Sequence, residues 1–112
     1  MKDDKIYLNH ILDAINEIEV FVKDGFDAED IRTERAIERC LEIIGEAANK
    51  LSKNFQKKFN QIEWNLVIGM RNKIIHDYFN VDLYVIKSTV EDDLPILKKQ
   101  ILKILKEIKK QS

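Results

Sequence analysis

Apolar residues recur at spacings of three and four along most of this chain. Tyr7, Ile11, Ala14, Ile18 and Phe21 predict an amphipathic helix from about Asp4 to Lys23. Lys23-Asp24-Gly25 stops it, with Gly25 supplying a left-handed cap. Asp27 is the expected N-cap of a second helix, with Asp30 at its third position. That helix runs to about Lys53 and buries Ile37, Cys40, Leu41, Ile44, Ala47, Ala48 and Leu51. Gly45 lies inside it, at a cost of roughly 1 kcal/mol against Ala. A close helix–helix approach beside the small Ala47 and Ala48 is the expected compensation.

Ser52 to Asn60 is polar and basic and reads as a connection. Asn60 with Glu63 has the spacing of a capping box. It opens a third helix carrying Ile62, Leu66, Val67, Met70, Ile74 and Tyr78. Phe79-Asn80-Val81-Asp82 predicts a short corner. Leu83, Ile86, Val90, Leu94, Leu97, Ile101, Ile104 and Ile108 then mark a last helix. Pro95 interrupts it and is expected to kink it near Glu91, whose carbonyl loses its partner. Four helices with short connections predict an all-α, antiparallel four-helix bundle.

Composition narrows the class without naming a function. A chain of 112 residues is one domain, 1–112, by the usual size rule. Three glycines and one proline agree with a helical chain. The formal net charge is -1, so no global basic field draws in nucleic acid, and any such contact needs a local patch. No apolar run is long enough for a membrane span and the N-terminus has no signal-like apolar region, so a soluble, cytoplasmic protein is expected. The lone cysteine, Cys40, excludes an internal disulfide and reads as inert core. Two isolated histidines give no metal-ligand cluster, and no metal or other cofactor is expected.

The densest polar cluster inside an apolar stretch is Arg71-Asn72-Lys73-Ile74-Ile75-His76-Asp77-Tyr78. Its residue types suit acid–base work on a phosphodiester. His76 can give or take a proton near neutral pH. Arg71 can grip a phosphate and stabilise charge that develops on it. Five residues on a helix set Arg71 and His76 about 140° apart, whereas Asn72 and His76 share a face. One helix therefore does not assemble an Arg–His pair by itself. Either the arginine side chain wraps around, or two chains pool their motifs across a symmetric dimer. Asn72 would orient His76 or a phosphate oxygen. His10 has no matched partner and reads as an ordinary exposed or boundary histidine.

The run resembles the R-x4-6-H signature of HEPN-domain ribonucleases, and its R-x4-H-x-Y form resembles the HepT toxins. Ile43-Ile44-Gly45-Glu46-Ala47, the stretch from Trp64 to Met70, and Asp93-Leu94-Pro95 resemble HepT-like flanks. The resemblance implies a HEPN-type bundle and a homodimer with a composite cleft. It implies a metal-independent endoribonuclease toxin of a type VII toxin–antitoxin pair, with Arg71 and His76 catalytic. It also implies that Tyr78 receives AMP from an MntA-type nucleotidyltransferase antitoxin, which would put bulk and negative charge beside Arg71 and His76.

Lys73, and the basic patch Lys50, Lys53, Lys57 and Lys58, are the candidates for RNA-backbone contact. Arg32, Arg35 and Arg39 lie among Glu29, Glu34, Glu38 and Glu42 and read as a salt-bridge-laced surface. Phe55, Phe59 and Trp64 can stack bases, but packing at the end of the bundle is the expected role. The competing function is a non-catalytic HEPN module that binds a nucleotide or docks a nucleotidyltransferase.

Overall fold

The computed structural model describes residues 2–23, 25, 30–74 and 83–111. Every described element is helical: α1 (Lys2–Phe21), α2 (Ile31–Lys50), α3 (Lys53–Lys58), α4 (Trp64–Ile68), α5 (Met70–Ile74), α6 (Leu83–Ser88), a π-helical turn (Thr89–Asp93) and α7 (Leu94–Gln111). The all-α class expected from the sequence holds. No helix among the described residues is long and apolar enough to cross a membrane.

α1 and α2 form the main packed pair, α7 lies against α1, and α4 and α5 lie against α2. Leu8, Ile11, Ile15 and Ile18 of α1 meet Ile37, Leu41, Ile44 and Ala48 of α2 in one apolar cluster that Leu94, Leu97, Ile101 and Ile104 of α7 complete. On α2 and α7 these are the stripes that the three-and-four spacing marks; on α1 the spacing holds for Ile11, Ala14 and Ile18, but Leu8 and Ile15 share the buried face and Phe21 is 43% exposed. Gly25 takes φ 109, the left-handed conformation expected of it.

α2 begins later than expected. Asp30, not Asp27, is the described N-cap: its carboxylate accepts from the Arg32 N–H at 3.0 Å and from the Thr33 hydroxyl at 2.8 Å. These bonds hold its carboxyl below the usual range, the Thr33 hydroxyl contributing most. Asp27 itself lies outside the described residues. α2 ends at Lys50, where the Leu51 N–H bonds the Ala48 carbonyl. The Gln56 side chain donates to the Ala48 and Leu51 carbonyls at 3.3 and 3.1 Å, taking up acceptors that a helix end leaves open.

The stretch 52–60 is not simply a connection, since it contains α3. Ser52 caps α3 through its hydroxyl, which accepts from the Phe55 N–H at 3.1 Å. That hydroxyl in turn donates to the buried Asp4 carboxylate at 2.9 Å, and the Ser52 N–H donates to it at 2.7 Å. The first turn of α1 thus fixes where α3 starts. The capping box expected of Asn60 and Glu63 does not form. α4 starts after Glu63, which makes no side-chain cap bond. The Trp64 ring is instead the anchor, its indole N–H donating to the Phe59 carbonyl at 3.1 Å. Phe55, Phe59 and Trp64 are all buried, with the Phe55 and Phe59 rings 4.7 Å apart, so they pack the core as expected.

The predicted third helix is broken. α4 and α5 meet at Gly69, and Leu66 is 67% exposed instead of buried. The predicted corner at Phe79–Asp82 lies outside the described residues. From Ile86 to Ile104 the last predicted stripe keeps its buried face, and Pro95 follows a π-helical turn, in which the Leu94 N–H reaches back to the Thr89 carbonyl. A proline has no N–H for the carbonyl four residues back and its ring crowds that carbonyl. Across the wider turn Ile86, Val90 and Leu94 stay buried at a four-and-four spacing.

Candidate functional site

Arg71 is placed by the short α5. Met70, its neighbour, is buried and anchors that helix, which packs on α2. The approach is close because α2 carries Gly45. A Cβ at that position would lie 2.6 Å from the Ile68 carbonyl oxygen. The close approach expected at this glycine is therefore present, and it brings the end of α4, and α5 after it, against the middle of α2.

Arg71 consequently reaches two carboxylates of α2. Its Nη2 lies 3.5 Å from Oε1 of Glu38, and its Nε lies 3.8 Å from Oε2 of Glu42. Arg39 sits 3.6 Å from the same Glu42 oxygen. Glu38 and Glu42 are four residues apart, so they share one face of α2. The charge pattern along α2 predicts a surface network among Arg32, Arg35, Arg39 and their neighbouring glutamates and does not pair Glu38 or Glu42 with Arg71. The signal available was only the spacing of the two glutamates; their partner depends on where α5 lands.

Asn72 is exposed and joins two hollows. The smaller, about 210 Å³, is lined by Glu42, Gly45, Glu46, Asn49, Ile68 and Arg71 together with Asn72. The larger, about 620 Å³, lies between α4, α5 and α7, with the exposed Leu66 and Ile96 on its rim. His76, Asp77 and Tyr78 lie outside the described residues, as does the side chain of Lys73.

The basic patch is present as exposed side chains at Lys50, Lys53, Lys57 and Lys58. The Nζ of Lys50 is 5.9 Å from the centre of the Tyr7 ring and that of Lys58 is 5.4 Å from the centre of the Phe59 ring, so both ammonium groups are partly committed to aromatic faces. Lys50 and Lys58 also share a hollow with Asp3 and Asp4, which weakens the local positive field. His10 is exposed and packs edge-on to Tyr7. Cys40 is buried in the core, as expected, and its thiol donates to Glu17 Oε2 at 3.4 Å.

Residues 11–104 match the family described as ribonuclease HepT-like. The chain belongs to this family. It is 39% identical over 105 residues to a protein named "Probable ribonuclease HepT" from Thermococcus cleftensis, covering 91% of this chain and 96% of that one. It is 40% identical over 113 residues to a "Putative RNase" of Caldanaerobacter subterraneus, covering 97% of this chain and all of that protein. A third relative, from Methanocaldococcus jannaschii, is named "Gamma-glutamylcyclotransferase and putative RNase" and is 44% identical over 113 residues. This chain spans only half the length of that third relative. No solved structure matches the chain.

The HepT-like match encloses the whole run from Arg71 to Tyr78. It also encloses Glu38, Glu42 and Gly45, the residues that receive Arg71 and α5.

Proposed function

We propose that this chain is a metal-independent endoribonuclease that serves as the toxin of a type VII toxin–antitoxin pair. The observation that carries the reading is the intact R-x4-H-x-Y run inside a HepT-like chain, with Arg71 held by α2 on the rim of an open hollow. Its relatives named as ribonucleases support RNA as the substrate.

The chemistry follows from the residue types. His76 accepts the proton of an RNA 2′-hydroxyl, and the oxygen attacks the adjacent phosphorus. The bond to the 5′-oxygen breaks, and that oxygen takes up a proton from the imidazolium that His76 has become, directly or through water. Arg71 stabilises the charge gathering on the phosphate oxygens. The products are a 2′,3′-cyclic phosphate and a free 5′-hydroxyl, and DNA is inert because it lacks the attacking group. Asn72, next to Arg71 and exposed, orients His76 or a phosphate oxygen.

A homodimer belongs to this reading. The spacing of Arg71 and His76 favours pooling motifs from two chains, and the apolar rim of Leu66 and Ile96 gives a second copy something to cover. Lys50, Lys53, Lys57 and Lys73 then guide the RNA backbone. The antitoxin is an MntA-type nucleotidyltransferase that silences the site by transferring AMP to Tyr78. The protein works in the cytoplasm, where its RNA substrate is.

The test is cleavage of an RNA oligonucleotide by the wild-type protein, His76→Ala and Arg71→Ala, with and without EDTA. Wild-type cleavage is expected to persist in EDTA, and each substitution to lower it by roughly 10²–10⁴-fold. Full activity of His76→Ala, or activity that needs added metal, would overturn the mechanism. Light scattering that finds a monomer at all concentrations would remove the composite cleft.

A further inference from the structure

Arg71 meets α2 at two carboxylates, and the two are not alike. The Glu42 side chain is 37% exposed and is shared with Arg39. Glu38 is 16% exposed, and its second oxygen, Oε2, is buried with no hydrogen-bond partner among the described residues. The Nε of Arg71 is likewise buried without a hydrogen-bond partner among them. An ion pair that leaves polar atoms buried and unsatisfied is a poor source of stability, because the lost hydration is not fully replaced. A pair kept only for stability would do better in water or as apolar packing.

The arrangement does, however, fix a direction. Nε and Nη2 are the edge turned toward α2, and Nε is closed to solvent. A phosphate must therefore come to the outer, Nη end of the guanidinium, where two N–H groups can grip it together. An unrestrained arginine spreads over many rotamers, and its ordering would have to be met during the reaction. Holding one orientation beforehand removes that cost.

We propose that Glu38 is a positioning residue, which holds the guanidinium of Arg71 so that its Nη end faces the scissile phosphate. The proposal rests on the ribonuclease reading for what Arg71 does, but not for how Arg71 is held. Glu42 is the secondary contact: it has Arg39 as a second partner three residues away and is more open to water.

Two measurements on the full chain test it, each made on wild type, Glu38→Ala and Glu38→Gln. The first is steady-state cleavage of an RNA oligonucleotide. The second is ¹⁵N relaxation of the Arg71 Nε–H signal, which reads how tightly that group is held. Glu38→Ala is expected to lower kcat by roughly 10- to 100-fold, the scale of a misplaced catalytic group, with little change in KM. Its Arg71 Nε–H order should fall in parallel. Glu38→Gln keeps the shape and one acceptor oxygen, so it should recover part of both, and it stands in if the alanine variant does not fold. A Glu38 variant that only melts earlier, with kcat per folded molecule unchanged, would sink the proposal. So would unchanged Arg71 order in both variants. If the wild-type protein cuts no RNA, the ribonuclease reading fails, and the relaxation arm alone decides: lost order in the variants upholds Glu38 as the group that orients Arg71, and retained order ends that claim.

Discussion

Gly45 on α2 and Ile68 at the end of α4 approach so closely that a single methyl group between them, on Gly45, would lie 2.6 Å from the Ile68 carbonyl oxygen. That oxygen is backbone and cannot swing aside. Gly45→Ala is therefore expected to destabilise the protein by about 1–3 kcal/mol through overpacking, although Ala is the better helix former by roughly 1 kcal/mol. Urea unfolding measures this. Because α5 follows directly, the same variant should also move Arg71 away from Glu38 and reduce cleavage in the folded fraction. A variant as stable as wild type would show that the two backbones are not held together here.

Asp4 and Ser52 form the second long-range tie. Asp4 is 4% exposed, and its carboxylate accepts both the N–H and the hydroxyl of Ser52, 48 residues away. Asp4→Ala removes a charged acceptor for two donors and should cost about 2–3 kcal/mol. Ser52→Ala keeps the N–H bond to Asp4 but loses both the hydroxyl cap of α3 and the hydroxyl's bond to Asp4, so about 1–2 kcal/mol is expected. A loss from Asp4→Ala below about 0.5 kcal/mol would mean that Asp4 does not hold this corner.

Burial, followed by the bond to Glu17, raises the Cys40 thiol from 9.0 to about 11. The folded chain thus favours the neutral thiol more than the unfolded chain does. This contribution to stability is fully present below pH 9.0 and is lost as pH rises through about 11. Its ceiling is on the order of 2–3 kcal/mol. Stability curves of wild type and Cys40→Ala should therefore converge between these pH values, and alkylation of the native thiol should stay slow at pH 9. Rapid alkylation at pH 8 would contradict the buried, neutral thiol.

Tyr78 is the proposed control point. With a partner nucleotidyltransferase and ATP, intact mass should rise by the mass of AMP on wild type and not on Tyr78→Phe. The adduct places negative charge in the sequence neighbourhood of Arg71 and His76, so it should exclude an RNA phosphate by size and repulsion. A fully modified protein that still cuts RNA, or an adduct mapped to another residue, would remove Tyr78 from this role.

Much of the fold was legible in the chain because burial follows periodicity. The stripes on α2 and α7 needed only the three-and-four spacing; on α1 it found Ile11, Ala14 and Ile18 but missed Leu8 and Ile15 and misplaced Phe21. The small residues around Gly45 signalled a close contact. Helix ends were less legible. Asp27 and Asp30 are both good caps, and only the side-chain bonds to Arg32 and Thr33 select Asp30. Asn60 and Glu63 have the spacing of a capping box, yet the Trp64 indole bond to the Phe59 carbonyl sets that entry instead. Leu66 fitted a buried stripe on a continuous helix, but the break at Gly69 leaves it on the rim of a groove.

The sequence by itself determined the helical class, the apolar faces and the run from Arg71 to Tyr78, because residue type and local spacing carry that information. It determined the HepT-like family as well, since the match follows the chain from Ile11 to Ile104. Only the tertiary structure decided what surrounds Arg71. Glu38 and Glu42 are more than 28 residues away in the chain, and nothing in local spacing says which cation they face. Gly45 decides it by letting α4 and α5 settle onto α2 at backbone contact, and the charge pairing of the site follows from that approach.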